Sequence, residues 1–430
     1  MDISAKKILR LDKNFNTIID ELEYGGDHYF ITGRAGTGKS TLLRLFRRAS
    51  KKKIVVLAPT GIAALHVGGQ TIHSFCRFPP KIMNKGDFRK STNKKLLQSL
   101  DTIIIDEISM VRADMMDNID YFLRYNLGNN QPFGGKQMIF FGDMFQLPPV
   151  IATAEERSMI TSRYSSPYFF SSNVISNDVE LKGIELTKVY RQKEKQFLQL
   201  LEEIRYNTAD WETLEVINSR HISPDHWPED SIVICSRKYL ALAINQKKLA
   251  ALTGQTKIYQ AKVTGNFSKN TSPAPTELII KEGAKVMLLK NDPAKEYVNG
   301  TIGQVISCHD NFIIIKIKED NREKQVILHK AIWENIKYRL SEDGQITAEV
   351  TGTFEQFPIT LAWAITIHKS QGITFESVVI DLGRGAFDFG QSYVALSRCT
   401  HLEGIFLKQP LKIADILTDE EIIDYYRNNF

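Results

Sequence analysis

The sequence predicts an α/β fold of two parallel-sheet domains, with a small β-barrel inserted into the second. Three observations carry this. Short apolar runs alternate with helical patterns through the first half of the chain. The same texture returns near its end. Between them lies a stretch of short alternating segments separated by Gly, Asn and Asp. Strands alternating with helices imply βαβ units and a parallel sheet. Short strands with tight turns are an all-β signature.

In chain order, the first-half strands are expected at 29–32, 54–58, 102–105 and 138–141, with a helix over 39–48 after the first. The barrel strands are expected around 286–289, 302–306, 312–318 and 325–329, and the late strands at 231–235, 377–381 and 404–407. The resulting division is 1–172 for the first domain, 173–255 with 353–430 for the second, and 256–352 for the insert. No tandem repeat or low-complexity tract interrupts it.

A length of 430 residues suits two to four domains, and 43% hydrophobic with 24% charged residues is ordinary globular composition. Fifty-five Lys plus Arg against fifty Asp plus Glu leave +5, too mild an excess to imply nucleic acid by itself. Its distribution says more: from Arg77 to Lys95 there are seven basic residues and one acid, Asp87. Cys76, Cys235, Cys308 and Cys399 are far apart and form no metal-ligand spacing, so they read as reduced packing residues. No run approaches the ~18 apolar residues of a membrane span. The first fifteen residues lack an apolar signal core. The expectation is a cytoplasmic protein, nucleoid-associated if bacterial, with no membrane partner.

Gly33-Arg-Ala35-Gly36-Thr37-Gly38-Lys39-Ser40 matches the phosphate loop G-x-x-x-x-G-K-[ST] in full, after an expected strand and at the start of an expected helix. Glycines let backbone N–H groups wrap the phosphates, and the helix N-terminus, through Ser40 and Thr41, adds its positive end. Lys39 is expected on the β- and γ-phosphates and Ser40 on Mg²⁺. The strand 102–105 delivers Asp106 and Glu107 at its C-terminal end, where open α/β sheets bind ligands. Asp106 suits Mg²⁺, directly or through water. Glu107 suits the orientation and deprotonation of an attacking water. Alone, such a pair is most often a surface acid pair closing a strand; the full phosphate loop reverses that weighting. Gln146, in Gly142-Asp-Met-Phe-Gln-Leu-Pro-Pro149, follows the next strand and suits sensing of a γ-phosphate.

The ordered set of motifs carries a family resemblance. It comprises the phosphate loop, Ala58-Pro-Thr-Gly-Ile-Ala-Ala64, Gly68-Gly-Gln-Thr-Ile-His-Ser-Phe75, Ile105-Asp-Glu-Ile-Ser-Met110, and Pro132-Phe-Gly-Gly-Lys-Gln137 running into 142–150. Val189-Tyr-Arg-Gln192, Ile365-Thr-Ile-His-Lys-Ser-Gln-Gly-Ile-Thr374 and Tyr393-Val-Ala-Leu-Ser-Arg398 complete it. The set resembles the superfamily 1B helicases, closest to the Pif-type (petite integration frequency) DNA helicases. The resemblance implies two RecA-like domains of the P-loop NTPase class with ATP between them, and an SH3-like insert where the β-rich stretch falls. It implies that Arg191 and Arg398 reach the γ-phosphate and that Gly372 joins the nucleotide site. A guanidinium suits the charge that grows in phosphoryl transfer. The family's adenine-reading Gln is replaced here by Asn16, which follows Phe15 and is shorter.

The same resemblance places Pro59, Thr60, Gly61, Thr71, His73, Ser74 and Phe75 of the first domain, and Thr366, His368, Lys369 and Ser370 of the second, along a single DNA strand. Hydroxyls, amides and basic groups hold strand phosphates, and aromatic rings support bases. The basic run then marks a small wedge insertion at about 76–96, with Phe78-Pro-Pro80 as the splitting element. The implied activity is an ATP-dependent 5′-to-3′ DNA helicase using ATP and Mg²⁺. Single-stranded DNA and single/double-strand junctions are its partners, with G-quadruplex DNA a further candidate, and roles follow in DNA repair, recombination and telomere maintenance. A monomer is expected. The alternatives are a translocase of the RecD type that needs partners to unwind, and a nucleotide switch or kinase. The repeated α/β half and Arg398 speak against the switch. No His-x-His pair supports a fused relaxase or nuclease.

Overall fold

The computed structural model of the chain describes residues 13–79, 82–83, 85–229, 231–267, 272–319 and 322–430. The first domain is built on six strands: β1 (His28–Gly33), β2 (Ile54–Ala58), β3 (Gln70–Thr71), β4 (Thr102–Ile105), β5 (Gln137–Phe141) and β6 (Leu181–Leu186). They are all parallel, in the order β3-β2-β4-β5-β1-β6. The apolar runs are continuous because both faces are covered. Along β2, Val55 and Leu57 enter one core cluster and Val56 another; along β4, Ile103 and Ile105 part from Ile104 in the same way. A side-chain period of two on a sheet covered on both faces produces this division.

Helices α1 (Lys13–Tyr24), α2 (Lys39–Ala49), α3 (Gly61–Val67), α4 (Ile72–Cys76), α5 (Lys94–Ser99), α6 (Ala113–Leu127) and α7 (Ala154–Arg163) accompany this sheet. In α2, Leu42, Leu43 and Phe46 are buried while Arg44, Arg47 and Arg48 are exposed. That is the stripe of a helix packed on one face.

The chain continues through α8 (Lys195–Arg205), α9 (Trp211–Asn218), β7 (Ile232–Cys235) and α10 (Lys238–Ala251) into the insert. The insert holds β8 (Lys257–Gln260), β9 (Lys262–Gly265), β10 (Glu277–Ile280), β11 (Lys285–Leu288), β12 (Ile302–Cys308), β13 (Ile313–Glu319), β14 (Arg322–Leu328), β15 (Ala331–Leu340), β16 (Ile346–Gln356) and β17 (Ile359–Leu361). Five of them form an antiparallel sheet, β14-β13-β12-β11-β17, around a separate apolar core that includes Leu288, Ile315 and Val326. The chain returns through β18 (Ala364–Thr366), α11 (Ile367–Ser370), β19 (Val378–Asp381), α12 (Gln391–Leu396), β20 (Ile405–Leu407) and α13 (Glu420–Asn429). The second parallel sheet is β18-β7-β19-β20.

The elements differ from the expected divisions in three places. β6 lies beyond residue 172 yet pairs with β1 from His28↔Leu181 to Gly33↔Leu186, so the first sheet extends to 186. As an edge strand it buries only Leu186, and a Leu-Lys-Gly-Ile-Glu-Leu segment shows no continuous apolar run to announce it. The insert ends at 361 rather than 352, because β17 closes its sheet against β11. Finally, α13 packs on the first domain although 353–430 was assigned to the second. Tyr425 stacks on Phe170 with centroids 4.1 Å apart, and the Tyr426 hydroxyl bonds Thr32.

One long arm also crosses domains. The β15–β16 hairpin runs from Ala331↔Gln356 to Leu340↔Ile346. Its Tyr338 enters the first domain's core, where its hydroxyl accepts from the Val56 N–H at 3.3 Å. Among the described residues, no helix is long and apolar enough to cross a membrane.

Candidate nucleotide cleft and strand-facing blocks

The phosphate loop sits between β1 and α2. Gly33, Gly36 and Gly38 all have positive φ, which glycine alone adopts without a steric cost. Gly36 is needed twice over, since an added Cβ would lie 2.5 Å from the Cβ of Arg191. The Tyr190 N–H donates to the Gly36 carbonyl at 2.9 Å, which seats the segment 189–192 on the loop. Lys39 reaches back so that Nζ donates to the carbonyls of Gly33 at 2.5 Å and Arg34 at 3.0 Å. Thr37 is buried and donates to the Arg34 carbonyl. The Ala35 N–H donates to the Tyr393 hydroxyl at 3.1 Å. Ser40 is exposed on the first turn of α2, followed by half-buried Thr41. On α1, Phe15 packs against Gly38, and Asn16 beside it is exposed. Tyr190, half-exposed, borders Gly38 from the other side.

Asp106 follows the end of β4 and is buried. Burial and the neighbouring Glu107 push its carboxyl up to about 7. Glu107 has φ 52°, a left-handed conformation rare outside glycine. Such strain persists only where the surroundings enforce it, and it concentrates at working sites. Burial raises the Glu107 pKa, opposed by Lys39 and Arg398. Lys39 is lowered by the same desolvation, against the attraction of Asp143 and Glu107. Ser40 and Asp106 supply the hydroxyl and carboxylate oxygens that a hard cation takes.

Arg398 is 1% exposed and closes the cleft from the second domain. Its Nε donates to the Val394 carbonyl at 2.9 Å and Nη2 to Ser397 Oγ at 2.7 Å. Its Nη1 points to the carbonyls of Ser370 and Ile373, which bracket Gly372. Arg191 Nη1 donates to the Ser397 carbonyl at 3.1 Å. Burial first, then the nearby Arg191, pull Arg398 down to about 9. Two guanidiniums gathered in one buried place are the electrostatic setting for a polyanion. The residues present therefore fit a triphosphate. Gln146 is buried too, and its Nε2 donates to Asp143 Oδ2 at 3.1 Å.

The strand-facing blocks repeat one local device. Thr60 caps α3 by accepting from the Ala63 N–H at 3.2 Å; Thr71 caps α4 through the Ser74 N–H at 3.2 Å; Thr366 caps α11 through the Lys369 N–H at 3.3 Å. Each stands at, or just after, the C-terminal end of a parallel strand. Pro59 and Gly61 flank the first cap and are half-buried, as is His73 on α4, while Ser74, His368 and Lys369 are exposed. Phe75 is half-buried against the core. Ser370 is a correction: it is fully buried and its hydroxyl donates to the Ile367 carbonyl at 2.7 Å. Its hydroxyl closes a short helix under Arg398 and is not exposed for a strand contact. Phe78 is a second correction. It is buried, edge-on to Phe88 and Phe122 at 5.8 Å each. An aromatic held in the core cannot split a duplex. Pro80, in the same expected wedge, lies outside the described residues.

Two further groups in the cleft have no motif that marks their role. Tyr393 belongs to a recognised block, yet only its neighbour Arg398 drew attention. Arg205 lies outside every block; its one signal is an arginine continuing the buried face Phe197, Leu200, Leu201, Ile204 of α8.

Residues 10–214 match the family model for PIF1-like helicases. The chain is 32% identical over 420 residues to ATP-dependent DNA helicase Pif1 of Bdellovibrio bacteriovorus, spanning 95% of this chain and 90% of that one. It is 33% identical to ATP-dependent DNA helicase PIF1 of Xenopus laevis, covering 94% of this chain and 62% of that longer protein. A Bacteroides Pif1 crystal structure with ADP-AlF4 superposes with a TM-score of 0.90 at 36% identity, over 97% of this chain and 96% of that one. The Bacteroides protein bound to ssDNA superposes at 0.70, again at 36% identity, over 97% and 96%.

Proposed function

The chain belongs to the PIF1-like helicase family and is an ATP-dependent DNA helicase, and we propose that it moves 5′-to-3′ along single-stranded DNA by closing and reopening the cleft between its two parallel sheets. The observation that carries this reading is the position of Arg398: a second-domain arginine buried opposite the phosphate loop and Glu107 of the first. Nucleotide held by both sides draws the domains together, and hydrolysis releases them. The Thr-capped helices α3 and α4 on one domain and α11 on the other then alternate their grip on the strand. A cap satisfies one N-terminal amide and leaves others free for phosphate oxygens. The Bacteroides homologue in its ssDNA complex resembles this chain less closely than its nucleotide complex does, which supports a rearrangement when a strand enters.

In this reading Ser40 and Asp106 hold Mg²⁺, which neutralises phosphate charge. Lys39 binds the β- and γ-phosphates, Glu107 orients the attacking water, and Arg191 and Arg398 bear the charge of the transition state. Asn16 faces the base. The sign of motion rests on the family, not on the geometry. Single-strand/duplex junctions and G-quadruplex DNA are proposed substrates, and a monomer is the proposed working unit. The test is a pair of partial duplexes, one with a 5′ single-stranded tail and one with a 3′ tail. Unwinding of the 5′-tailed substrate alone is expected. Faster opening of the 3′-tailed substrate overturns the direction, and ATP turnover on single strands with neither substrate opened assigns a translocase that needs partners.

A further inference from the structure

Behind the phosphate loop, Asp143 is a hub with four donors. Its Oδ1 accepts from the Phe145 N–H at 3.3 Å and from Arg205 Nη2 at 3.4 Å. Its Oδ2 accepts from Gln146 Nε2 at 3.1 Å and from the Tyr393 hydroxyl at 3.3 Å. That hydroxyl in turn accepts from the Ala35 N–H of the phosphate loop at 3.1 Å. One carboxylate thus touches the candidate γ-phosphate sensor, the phosphate loop through one hydroxyl, and the helix α12 that leads to Arg398.

Arg205 supplies the hub's counter-charge at a visible cost. Its side chain is 1% exposed, its partner Asp143 0%. The guanidinium lies 4.1 Å over Phe145, 5.2 Å from the Tyr206 ring and 5.5 Å from the Tyr426 ring. Among the described residues, its Nε has no hydrogen-bond partner. A buried ion pair of this kind is weak evidence for stability, since an apolar replacement of equal volume often does as well. A partly satisfied buried guanidinium is therefore better explained by what it orients. The approach of α12 is equally tight: a Cβ on Gly390 would lie 2.5 Å from the carbonyl oxygens of both Phe145 and Gln146. Gln146 and the start of α12 therefore move together or clash.

We propose that Arg205 and Tyr393 are positioning residues for ATP hydrolysis, acting through Asp143 on Gln146 and on the helix that leads to Arg398. Neither touches the nucleotide's reacting atoms in this scheme. Arg205 holds Asp143 in place; Asp143 aims the Gln146 amide; Tyr393 ties that arrangement to Ala35 and to α12. The relay rests on the motor reading above but makes a separate claim about which residues transmit the nucleotide state.

The test is single-strand-stimulated ATP turnover of full-length Y393F, D143N, R205M and R205K beside the wild type. Y393F removes one hydroxyl and R205M one charge at similar volume. Each is expected to lower kcat by roughly 10- to 100-fold, the range for a lost hydrogen bond to a charged group, with KM for ATP changed less than about threefold. R205K is expected to recover part of the loss, and the Y393F/R205M double variant to fall no further than the worse single. A merely structural defect would multiply in the double variant. Near-normal kcat in Y393F or D143N overturns the relay, as does a loss confined to KM; these two variants decide the matter if R205M does not fold. If the wild type itself shows no strand-stimulated turnover, the motor reading has failed instead.

Discussion

The nucleotide cleft and the strand-facing blocks are built on opposite plans. In the cleft, charges are buried or half-buried and answer one another: Lys39 faces Asp143 and Glu107, Glu107 faces Arg398, and Arg205 faces Asp143. On the strand face, Ser74, His368 and Lys369 are exposed, and three threonines spend their hydroxyls on caps. Low dielectric makes each charge in the cleft matter, so a single deletion leaves a buried partner without its counter-charge. A strand groove is shared among many screened, nearly equivalent contacts. The two plans predict different failures: all-or-none for chemistry, graded for binding.

The largest contrast is expected from Lys39→Ala. It removes the cation proposed to bridge loop and phosphates, so hydrolysis should fall to background while anisotropy titration with single-stranded DNA stays within about threefold of wild type, a margin of under about one kcal/mol. Equal loss of both would erase the distinction between the regions. Arg398→Ala should follow at roughly 10³-fold or more in turnover, as for arginine fingers generally, with a weaker effect on ATP affinity. If it lowers only DNA affinity, Arg398 belongs to the other plan. Glu107→Gln should bind ATP and turn over roughly 10²–10⁴-fold more slowly, the range for a positioned general base. Near-normal turnover would show that another group orients the water.

The strand face should respond to salt rather than to one deletion. Each phosphate neutralised on a single strand contributes about −0.7 to the slope of log affinity against log salt. Lys369→Ala should flatten that slope by about one contact and leave ATP turnover at saturating DNA unchanged. A flat titration for the wild type would be incompatible with a phosphate-holding groove.

How much of this was legible follows the same contrast. The phosphate loop, Asp106 and Glu107 lie at local, fixed spacings next to strands whose continuous apolar runs reveal a doubly covered sheet, so order along the chain was enough to single them out; Arg398, which follows a helix, was named only by the family resemblance. Arg205 did not announce itself, because beyond its local pairing with Glu202 its contact with Asp143 is made only by tertiary folding. The same holds for Tyr338, which leaves the insert to bond Val56, and for Tyr426, which returns from the C-terminal helix to Thr32. Phe78 misled for the converse reason. A Phe-Pro-Pro sequence among basic residues suits an exposed wedge, but burial is decided by Phe88 and Phe122. Ser370 misled because a hydroxyl in a strand-contact block serves equally well to end a helix.

The smallest expected effect comes from the caps. Thr60 and Thr366 play the same local part in the two domains, each capping a short helix at or just after the end of a parallel strand. An N-cap changed to alanine costs about 1 kcal/mol, and serine restores most of it. If these helices present their amides to strand phosphates, fraying either one loosens the grip of one domain by about fivefold in affinity, the ratio that 1 kcal/mol corresponds to. Thr60→Ala and Thr366→Ala should therefore weaken single-strand binding to a similar, small extent, and Thr→Ser at either position should not. ATP turnover at saturating DNA should stay within about twofold, since neither hydroxyl faces the phosphate loop. The diagnostic case is asymmetry. A large loss from Thr366→Ala with none from Thr60→Ala would mean that the second domain holds the strand while the first only slides. Alternation of two comparable grips, on which directional stepping depends, would then have to be abandoned in favour of one fixed clamp.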